Sequence, residues 1–226
     1  MDRFDGFGPG TAKFLRGLGK SNTKTWFEAH RADYEADYLA PALAFIGAMG
    51  ERLETFAPGV QAEPRVNGSL FRINRDVRFS KDKTPYKDHL DFIFWDGSDR
   101  KQAPSSFFLR IRATTVELGV GVHGFEKQAL SRYRERVADA KDGPSLERIV
   151  SRLEKAGFEV GREQYKKLPR GYEPISGKRD RLLRHGALFA SHVEKHPKEL
   201  ASKSFATWCA RHWKKALPLR EWLLAG

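Results

Sequence analysis

Three extended segments lie close together in the middle of the chain, and they constrain its fold more than any other feature. They are LDFIFW (residues 90–95), SFFLRIR (106–112) and TVELGVGV (115–122). A parallel pair of strands needs a crossover of about a dozen residues or more, usually a helix, and no helix-length segment separates these three. Only Ala113-Thr114 separates the last two, as in a tight hairpin. The pattern therefore predicts an antiparallel sheet.

Segments with helical spacing lie on both sides of these strands. Trp26, Phe27, Tyr34 and Tyr38 recur at close to helical intervals, after an Asn22 that suits a helix N-cap. Helical spacing returns after residue 124, and two or three short helices are expected beyond a turn-rich passage at 165–185. The sequence therefore predicts an α+β fold, with a central antiparallel sheet of about four to six strands flanked by N-terminal and C-terminal helices.

The domain organisation follows from length and composition. The chain has 226 residues and shows no internal repeat, low-complexity linker or break in composition. Because a domain commonly holds about 100–200 residues, length alone allows one domain or two. We expect a single domain over residues 1–226, with a helical part at 1–59, the sheet at 60–124 and a basic helical part at 125–226.

Cysteine content and hydropathy bear on the compartment. Cys209 is the chain's one cysteine, so no internal disulfide forms, which is typical of a reducing compartment. The first residues, MDRFDGFGPG, lack the basic-then-apolar pattern of a signal peptide. No apolar run approaches the roughly 20 residues of a membrane-spanning helix. We therefore expect a cytoplasmic protein with no membrane partner, of unknown oligomeric state.

The positive charge is concentrated in the C-terminal part. The chain has a net charge of +12, and residues 126–226 alone carry 23 basic and 13 acidic side chains. Such a field attracts nucleic acids and other polyanions, and Tyr165 and Tyr172 add planar rings on which bases can stack. A basic surface that serves only solubility is the competing interpretation.

The densest cluster of charge is RINRDVRFSKDKTPYKDH, residues 72–89, which we call the motif loop. It holds six Lys and Arg residues against three carboxylates. Apolar and polar side chains alternate over residues 71–80, which predicts a strand with Arg72, Asn74, Asp76 and Arg78 on its polar face. Arg75 falls on the apolar side, which indicates a bulge or a strand end.

A shared face with the later hairpin would bring these side chains near Arg110 and Arg112, over a floor kept open by Gly119 and Gly121. Arg binds phosphate and carboxylate groups through two parallel hydrogen bonds. The pattern predicts a pocket for a small phosphorylated or carboxylated ligand. The expected ligand-binding residues are Arg72, Arg75, Arg78, Ser80, Lys83, Lys87, Arg110 and Arg112.

The sequence leaves open whether such a pocket supports catalysis, and whether a cofactor is needed is unknown. For an enzyme, Asp76 is the candidate general base and Tyr86 the candidate proton donor or acceptor. The competing interpretation is structural, with the charges of the motif loop paired only to fix the fold. Exposed ion pairs each contribute only about 0–1 kcal/mol, so stability alone is a weak reason for this cluster.

Histidines give a weaker signal. His192 and His196 lie four residues apart, with His185 upstream, a spacing that suits two metal ligands on one helix face. Glu194 is not where the H-E-x-x-H zinc motif requires its glutamate, and Pro197 limits the helix. We therefore expect surface histidines and no metal site.

The segment FRINRDVRFSKDKTPYK (residues 71–87) closely resembles the most characteristic segment of a widespread family of conserved hypothetical proteins, domain of unknown function 2461. FLRGLGKSNTKTWFEAHRADYE (14–35) resembles the family's opening pattern, although Ser21-Asn22 stands where paired Asn is usual. GVGVHGF, followed by Arg132 or Arg134, and the later LPRGYEP and RLLRH extend the resemblance over most of the chain. It implies a shared fold and a common use for the central motif, and it supplies no reaction.

Overall fold

The N-terminal part of the protein is helical in the computed structural model, which describes residues 3–226. Thr23, and not Asn22, caps the second helix, because its hydroxyl accepts a hydrogen bond from the Trp26 backbone N–H at 3.2 Å. The N-cap predicted at Asn22 is therefore wrong by one residue. The helices are α1 (Pro9–Lys20), α2 (Lys24–Ala29), α3 (Arg31–Asp33) and α4 (Ala40–Glu54), with a π-helical turn at Tyr34–Leu39.

The sheet has five antiparallel strands within the described residues, in the order β1-β2-β3-β5-β4. Their bounds are β1 (Leu90–Trp95), β2 (Ser106–Ile111), β3 (Thr115–Val122), β4 (Glu159–Val160) and β5 (Leu188–Lys195). The three predicted strands are confirmed to within one residue. So is the tight hairpin, in which the Arg112 N–H donates to the Thr115 carbonyl at 2.8 Å. The α+β fold is confirmed.

The C-terminal part contains α5 (Lys127–Ala138), α6 (Asp142–Lys155), α7 (Gly177–Leu183), α8 (Ser204–Lys215) and α9 (Leu217–Leu224). The prediction that only helices follow residue 185 is wrong, because residues 188–195 form β5, which pairs with β3. Several helices and loops separate these two strands in sequence, so no turn marks their pairing. Within residues 3–226, no helix is both long and apolar enough to cross a membrane.

One face of the sheet packs against helices from both ends of the chain. Phe92 of β1 meets Phe45 of α4, with ring centroids 5.2 Å apart, and Trp213 of α8 meets Phe94 and Phe107 at 5.7 and 5.3 Å. All five side chains are buried, and burying a side chain of this size contributes about 1.5–3 kcal/mol. Helices from both ends thus share one hydrophobic core with the sheet.

The other face carries the alternate side chains of the strands. Asp91 of β1 lies opposite Arg110 of β2, which lies opposite Glu117 of β3, so the register forms a charged row across three strands. On this face the open floor predicted at Gly119 does not exist. The ring of Phe108 covers that position, and a Cβ atom there would lie 2.6 Å from the ring.

The motif loop is an irregular arch, so the strand predicted over residues 71–80 is wrong. An isolated bridge joins Asn74 to Tyr86, and the Arg75 N–H donates to the Pro85 carbonyl at 2.8 Å. The alternation of burial holds only as far as Val77, and Phe79 is 95% exposed. Arg75 faces inward, but the bulge or strand end predicted there does not exist, because no strand precedes β1 in residues 3–89.

Candidate functional site

A cavity of about 440 Å³, the motif cavity, opens between the α1–α2 junction and the motif loop. A second cavity of about 480 Å³ lies at the opposite end of β2 and β3, beside Ser106 and Gly121, and is lined from outside the motif loop. The motif cavity is lined by Gly19, Asn22, Arg75, Asp76, Asp82, Thr84, Tyr86, Lys87, Asp88, His89, Asp91 and Arg110.

Asn22 fixes the motif loop to the N-terminal helices. Its side-chain amide N–H donates to the Tyr86 carbonyl at 2.9 Å, and its side-chain carbonyl accepts from the Tyr86 backbone N–H at 3.0 Å. The Tyr86 ring stacks on Phe27 of α2, with centroids 4.3 Å apart. Because these bonds satisfy both backbone groups of a residue outside the sheet, this wall of the cavity has a defined position.

Asp91 is the most buried carboxylate of the cavity lining. Arg110 donates to it from Nε at 2.6 Å and from Nη2 at 3.2 Å, and the side chain of Asp91 is 14% exposed. Burial alone raises the pKa of Asp91, but the hydrogen bonds from His89 and Arg110 outweigh that effect and hold the pKa well below its usual range. Asp91 therefore stays ionised and keeps the Arg110 guanidinium in place.

His89 bridges two carboxylates at the edge of the cavity. Its Nδ1 lies 2.8 Å from Asp88 Oδ1, and its Nε2 lies 3.2 Å from Asp91 Oδ2. Carboxylates only accept hydrogen bonds, so His89 donates to both only when both ring nitrogens carry a proton. The bond from His89 also lowers the pKa of Asp88.

Lys87 is a loosely held cation in the same wall. Its Nζ lies 3.5 Å from Asp91 Oδ2, at the limit of a hydrogen bond, and 4.9 Å from the centroid of the Phe71 ring. Burial lowers the pKa of Lys87 and the cations Arg110 and Arg72 act in the same direction, while Asp91 opposes them. The ammonium group therefore keeps N–H donors that Asp91 does not use.

Arg75 closes the motif loop on itself. Its Nη1 donates to Asp82 Oδ2 at 2.6 Å, to the Thr84 carbonyl at 3.0 Å and to the Thr84 hydroxyl. Asp82 in turn accepts from the Thr84 backbone N–H at 3.0 Å, and this bond lowers the Asp82 pKa. Arg75 thus holds the arch closed and at the same time lines the cavity.

Asp76, the predicted general base, is committed to Arg78. The Arg78 guanidinium donates to both of its carboxylate oxygens, at 3.0 and 2.7 Å, and the Arg78 backbone N–H donates at 3.2 Å. The side-chain hydrogen bond from Arg78 is the main cause that lowers the pKa of Asp76 to about 2. A carboxylate with so low a pKa is a weak base at neutral pH.

Tyr86, the predicted proton donor or acceptor, lines the cavity with a buried ring. Burial raises the pKa of Tyr86, and the charges that act on it are Glu28 and Arg31, from α2 and α3. Its hydroxyl therefore stays protonated at neutral pH. The roles of Asp76 and Tyr86 in catalysis stay predictions, and this geometry adds no support to them.

Of the predicted ligand-binding residues, Arg75, Lys87 and Arg110 line the cavity, whereas the other five do not. Lys83 donates to the Val77 carbonyl at 2.9 Å, and Arg112 Nη2 lies 4.0 Å from a Glu117 carboxylate oxygen. Ser80 makes only a long contact, 3.5 Å, with Arg75. The residues outside the lining are Arg72, Arg78, Ser80, Lys83 and Arg112.

Sequence reasoning missed several residues that line the cavity. Asp91 was assigned to a strand, but its side chain was not placed beside that of Arg110. The signal was present, because Asp91 stands between the buried Leu90 and Phe92 and so faces the open side of β1. Asn22 was assigned to a helix cap, and nothing in its own neighbourhood indicates a bond to Tyr86, 64 residues away.

The fold and the site define an α+β protein with a five-stranded antiparallel sheet and a charged cavity beside it. The family described as Conserved hypothetical protein (DUF2461) matches residues 10–222, and the chain belongs to this family. This match confirms the family predicted from the motif loop. Neither the curated proteins nor the solved structures contain a significant match to the chain.

Proposed function

We propose that the protein binds a small anionic ligand, phosphorylated or carboxylated, in the motif cavity. The observation that carries this proposal is the convergence of Arg75, Lys87 and Arg110 on one cavity of about 440 Å³. That volume lies in the usual range for small-molecule sites, about 300–1,000 Å³. Arg72 lies outside the cavity lining, but it is close enough for its charge to act on Lys87, so it adds a fourth cation to the surroundings of the cavity.

The donors that the protein itself leaves unused support this proposal. A guanidinium group has five N–H donors and an ammonium group has three. Arg110 bonds Asp91 through Nε and Nη2, so the two N–H groups on Nη1 are not used in the described part of the chain. Lys87 makes a single long contact to Asp91. An incoming phosphate or carboxylate therefore finds donors without displacing Asp91.

The acids of the cavity restrict what else the ligand carries. Asp76, Asp82, Asp88 and Asp91 line the same space as Arg75, Lys87 and Arg110, so four carboxylates face three cations and the lining has no excess of positive charge. A polyanion would meet repulsion from these carboxylates, whereas hydroxyl or amino groups on the ligand would donate to them. We therefore expect one anionic group beside Lys87 and Arg110, on a molecule that also has hydrogen-bond donors.

A thermal-shift screen tests the proposal, with inorganic phosphate and a panel of phosphorylated and carboxylated metabolites at two salt concentrations. A ligand at about 100 times its Kd adds about 2.7 kcal/mol, which raises the unfolding midpoint of a chain of this size by about 5–10 °C. Lys87→Met and Arg72→Met are expected to reduce that shift. Lys81→Met is the matched control, because Lys81 is an exposed cation of the same loop outside the cavity lining.

Two outcomes would contradict the binding of a ligand in the motif cavity. In one, no compound of the panel raises the midpoint. In the other, Lys81→Met reduces a ligand shift as much as Lys87→Met does, which would indicate attraction by the general charge of the loop. If Lys87→Met lowers the midpoint without any ligand and no compound binds, the structural interpretation of the motif loop is favoured.

Nucleic-acid binding by the basic C-terminal half is the second candidate, and Tyr165 favours it. This exposed ring lies 4.9 Å from the Arg134 guanidinium, an arrangement that offers a stacking surface beside a cation. Fluorescence anisotropy with a single-stranded oligonucleotide between about 50 and 200 mM salt tests it, since log K falls by about 0.7 per phosphate contact for each unit of log salt. A salt-independent signal, or no binding at the lower salt, would rule this function out.

A further inference from the structure

Three side chains with metal-binding atoms meet where β5 packs against α8. His192 and Glu194 are two residues apart on β5 and so face the same side, and His212 lies on α8. Each side chain offers one nitrogen or oxygen atom as a ligand, and these three atoms lie within 4.8 Å of one another. His212 is buried, and the other two are half-buried.

Backbone carbonyls orient both imidazole rings. The Nδ1 of His212 lies 2.9 Å from the Trp208 carbonyl, and the Nδ1 of His192 lies 3.0 Å from the Gly157 carbonyl. A carbonyl only accepts, so each Nδ1 carries the proton, and the lone pair of each neutral ring is on Nε2. Histidines that bind metals are commonly held this way, with the second ring nitrogen donating to a carbonyl or carboxylate.

The contact between His192 and Glu194 requires a positive charge. Nε2 of His192 lies 3.0 Å from Glu194 Oε2, so a neutral ring directs its lone pair at a carboxylate. Either a second proton or a metal ion removes this repulsion. A proton satisfies only those two residues, whereas Nε2 of His212 has no hydrogen-bond partner within residues 3–226. A metal ion uses all three.

We propose that His192, Glu194 and His212 bind a divalent transition-metal ion, for which Zn²⁺ is the best match. Two imidazoles and one carboxylate are a recognised zinc donor set, with the fourth position of the tetrahedron open to water. Ca²⁺ and Mg²⁺ prefer oxygen ligands only. Ligand atoms on a tetrahedral zinc lie about 3.3 Å apart, so the three ligand atoms, which lie within 4.8 Å of one another, move closer together when the ion binds.

The sequence-based prediction of no metal site considered His192 with His196 and His185, and of these three only His192 belongs to the proposed set. His196 Nε2 lies 2.9 Å from the Arg112 carbonyl, and His185 follows α7 and packs against Gly161. The proposed site is also independent of the motif cavity. Val193 is in register with the row of Arg110 and Glu117, so its neighbours His192 and Glu194 face the other side of the sheet.

Untagged protein treated with a chelator and dialysed is the material for the test. Calorimetric titration with ZnCl₂ is expected to give one ion bound per chain. Titration with CoCl₂ is expected to produce the visible absorption of four-coordinate Co²⁺, a signal that non-specific surface binding does not give. MgCl₂ and CaCl₂ at the same concentrations are expected to give no binding.

Variants locate the ion. Loss of a partner that only orients a ligand costs roughly 10–100-fold in affinity, so Glu194→Gln and His192→Ala are each expected to weaken Zn²⁺ binding by at least that factor. His196→Ala is the control, because it removes a nearby histidine outside the set. Glu194→Gln preserves the size of the side chain, and far-UV circular dichroism without metal checks that each variant is folded.

Three results would overturn the proposal: no stoichiometric Zn²⁺ binding by the unaltered chain, binding that survives Glu194→Gln and His192→Ala together, or equal weakening by His196→Ala. In the first case, a doubly protonated His192 paired with Glu194 accounts for the geometry instead.

Discussion

In the sheet, Asp91 accepts two hydrogen bonds from the Arg110 guanidinium, at 2.6 and 3.2 Å; in the motif loop, Asp76 accepts two from that of Arg78, at 3.0 and 2.7 Å. The local geometry is similar, but the surroundings differ. Asp91 is 14% exposed and its partner comes from the neighbouring strand, whereas Asp76 is 44% exposed and its partner is two residues away. Because the hydrogen-bond geometry is alike, we expect burial and chain separation to determine how much each pair contributes to stability.

The two carboxylates differ in the partners that they find when the arginine leaves. If Arg78 leaves, water reaches Asp76 at once, and a pair two residues apart can also form in the unfolded chain. If Arg110 leaves, Asp91 keeps its charge in a partly dry site with His89 and Lys87 as its other partners. A third pair, Asp96 with Arg220 of α9, is the limiting case, because both side chains are buried.

Among variants of these pairs, we expect Arg220→Met to cause the largest loss in the free energy of unfolding. Arg220 donates to Asp96 at 3.0 and 2.5 Å, and its loss leaves a buried carboxylate unpaired, which costs about 3–5 kcal/mol. Urea denaturation at pH 7 measures the free energy of unfolding. The double variant Asp96→Asn with Arg220→Met removes the charge as well and is expected to lose less. If Arg220→Met lowers the free energy of unfolding by less than about 1 kcal/mol, burial does not make this ion pair more important than an exposed one.

Arg110→Met is expected to lower the free energy of unfolding by an intermediate amount. Its side chain is 35% exposed, and water and the remaining cations compensate Asp91 in part, so we expect a loss of about 1–2 kcal/mol in the same measurement. Glu117→Gln is a control that alters the adjacent position in the charged row. A loss for Arg110→Met as large as that for Arg220→Met would show that partial exposure to water does not weaken the pair.

The dependence of stability on acid pH tests the contribution of Asp91 separately. The pKa of Asp91 is lower in the folded protein than in the unfolded chain, so its ion pairs contribute fully above the unfolded value of about 3.9. Their contribution decreases as the pH falls below the unfolded value, where the unfolded chain takes up a proton first, and it is gone once the pH is below the folded pKa. Between pH 5 and pH 3, we expect the unaltered chain to lose more stability than Asp91→Asn in urea titrations. Equal losses in both would contradict a specific role for Asp91.

Arg78→Met is expected to change the free energy of unfolding the least. Because Asp76 and Arg78 are exposed and close in sequence, the free energy of unfolding at neutral pH should not change measurably. The pKa of Asp76 should rise from about 2 toward its ordinary value, which ¹³C NMR of the carboxyl carbon measures. A clear drop in stability would mean that the motif loop contributes more to the fold than its exposure indicates.

The parts of the fold that sequence predicted correctly are those with local signals. Strands β1 to β3 follow one another with short connections, and alternation within each segment gave its bounds. The motif loop was recognised as a charged cluster and as a family signature. The conformation of the motif loop was not predicted, because the alternation of apolar and polar residues from Phe71 to Phe79 is compatible with a strand and with an arch. In the structure it belongs to an arch, which the bond from Arg75 to Thr84 closes.

The candidate sites were predicted only in part for the same reason. Arg75, Lys87 and Arg110 were identified by residue type and by place in the motif or on β2. Asn22 was missed as a cavity residue because its bond to Tyr86 spans 64 residues. His212 was missed as a partner of His192 because β5, the strand that brings them together, was itself predicted to be helical.

The amino-acid sequence alone is enough to predict the α+β class, the order and direction of the first three strands, and the family of the protein. These depend on spacing and on short connections, which the chain carries locally. The tertiary structure decided the place of β5 beside β3, the row of Asp91 and Arg110, and the meeting of two histidines with Glu194. Those contacts join distant segments, and they form only when burial of the shared apolar core offsets the entropy of bringing the segments together.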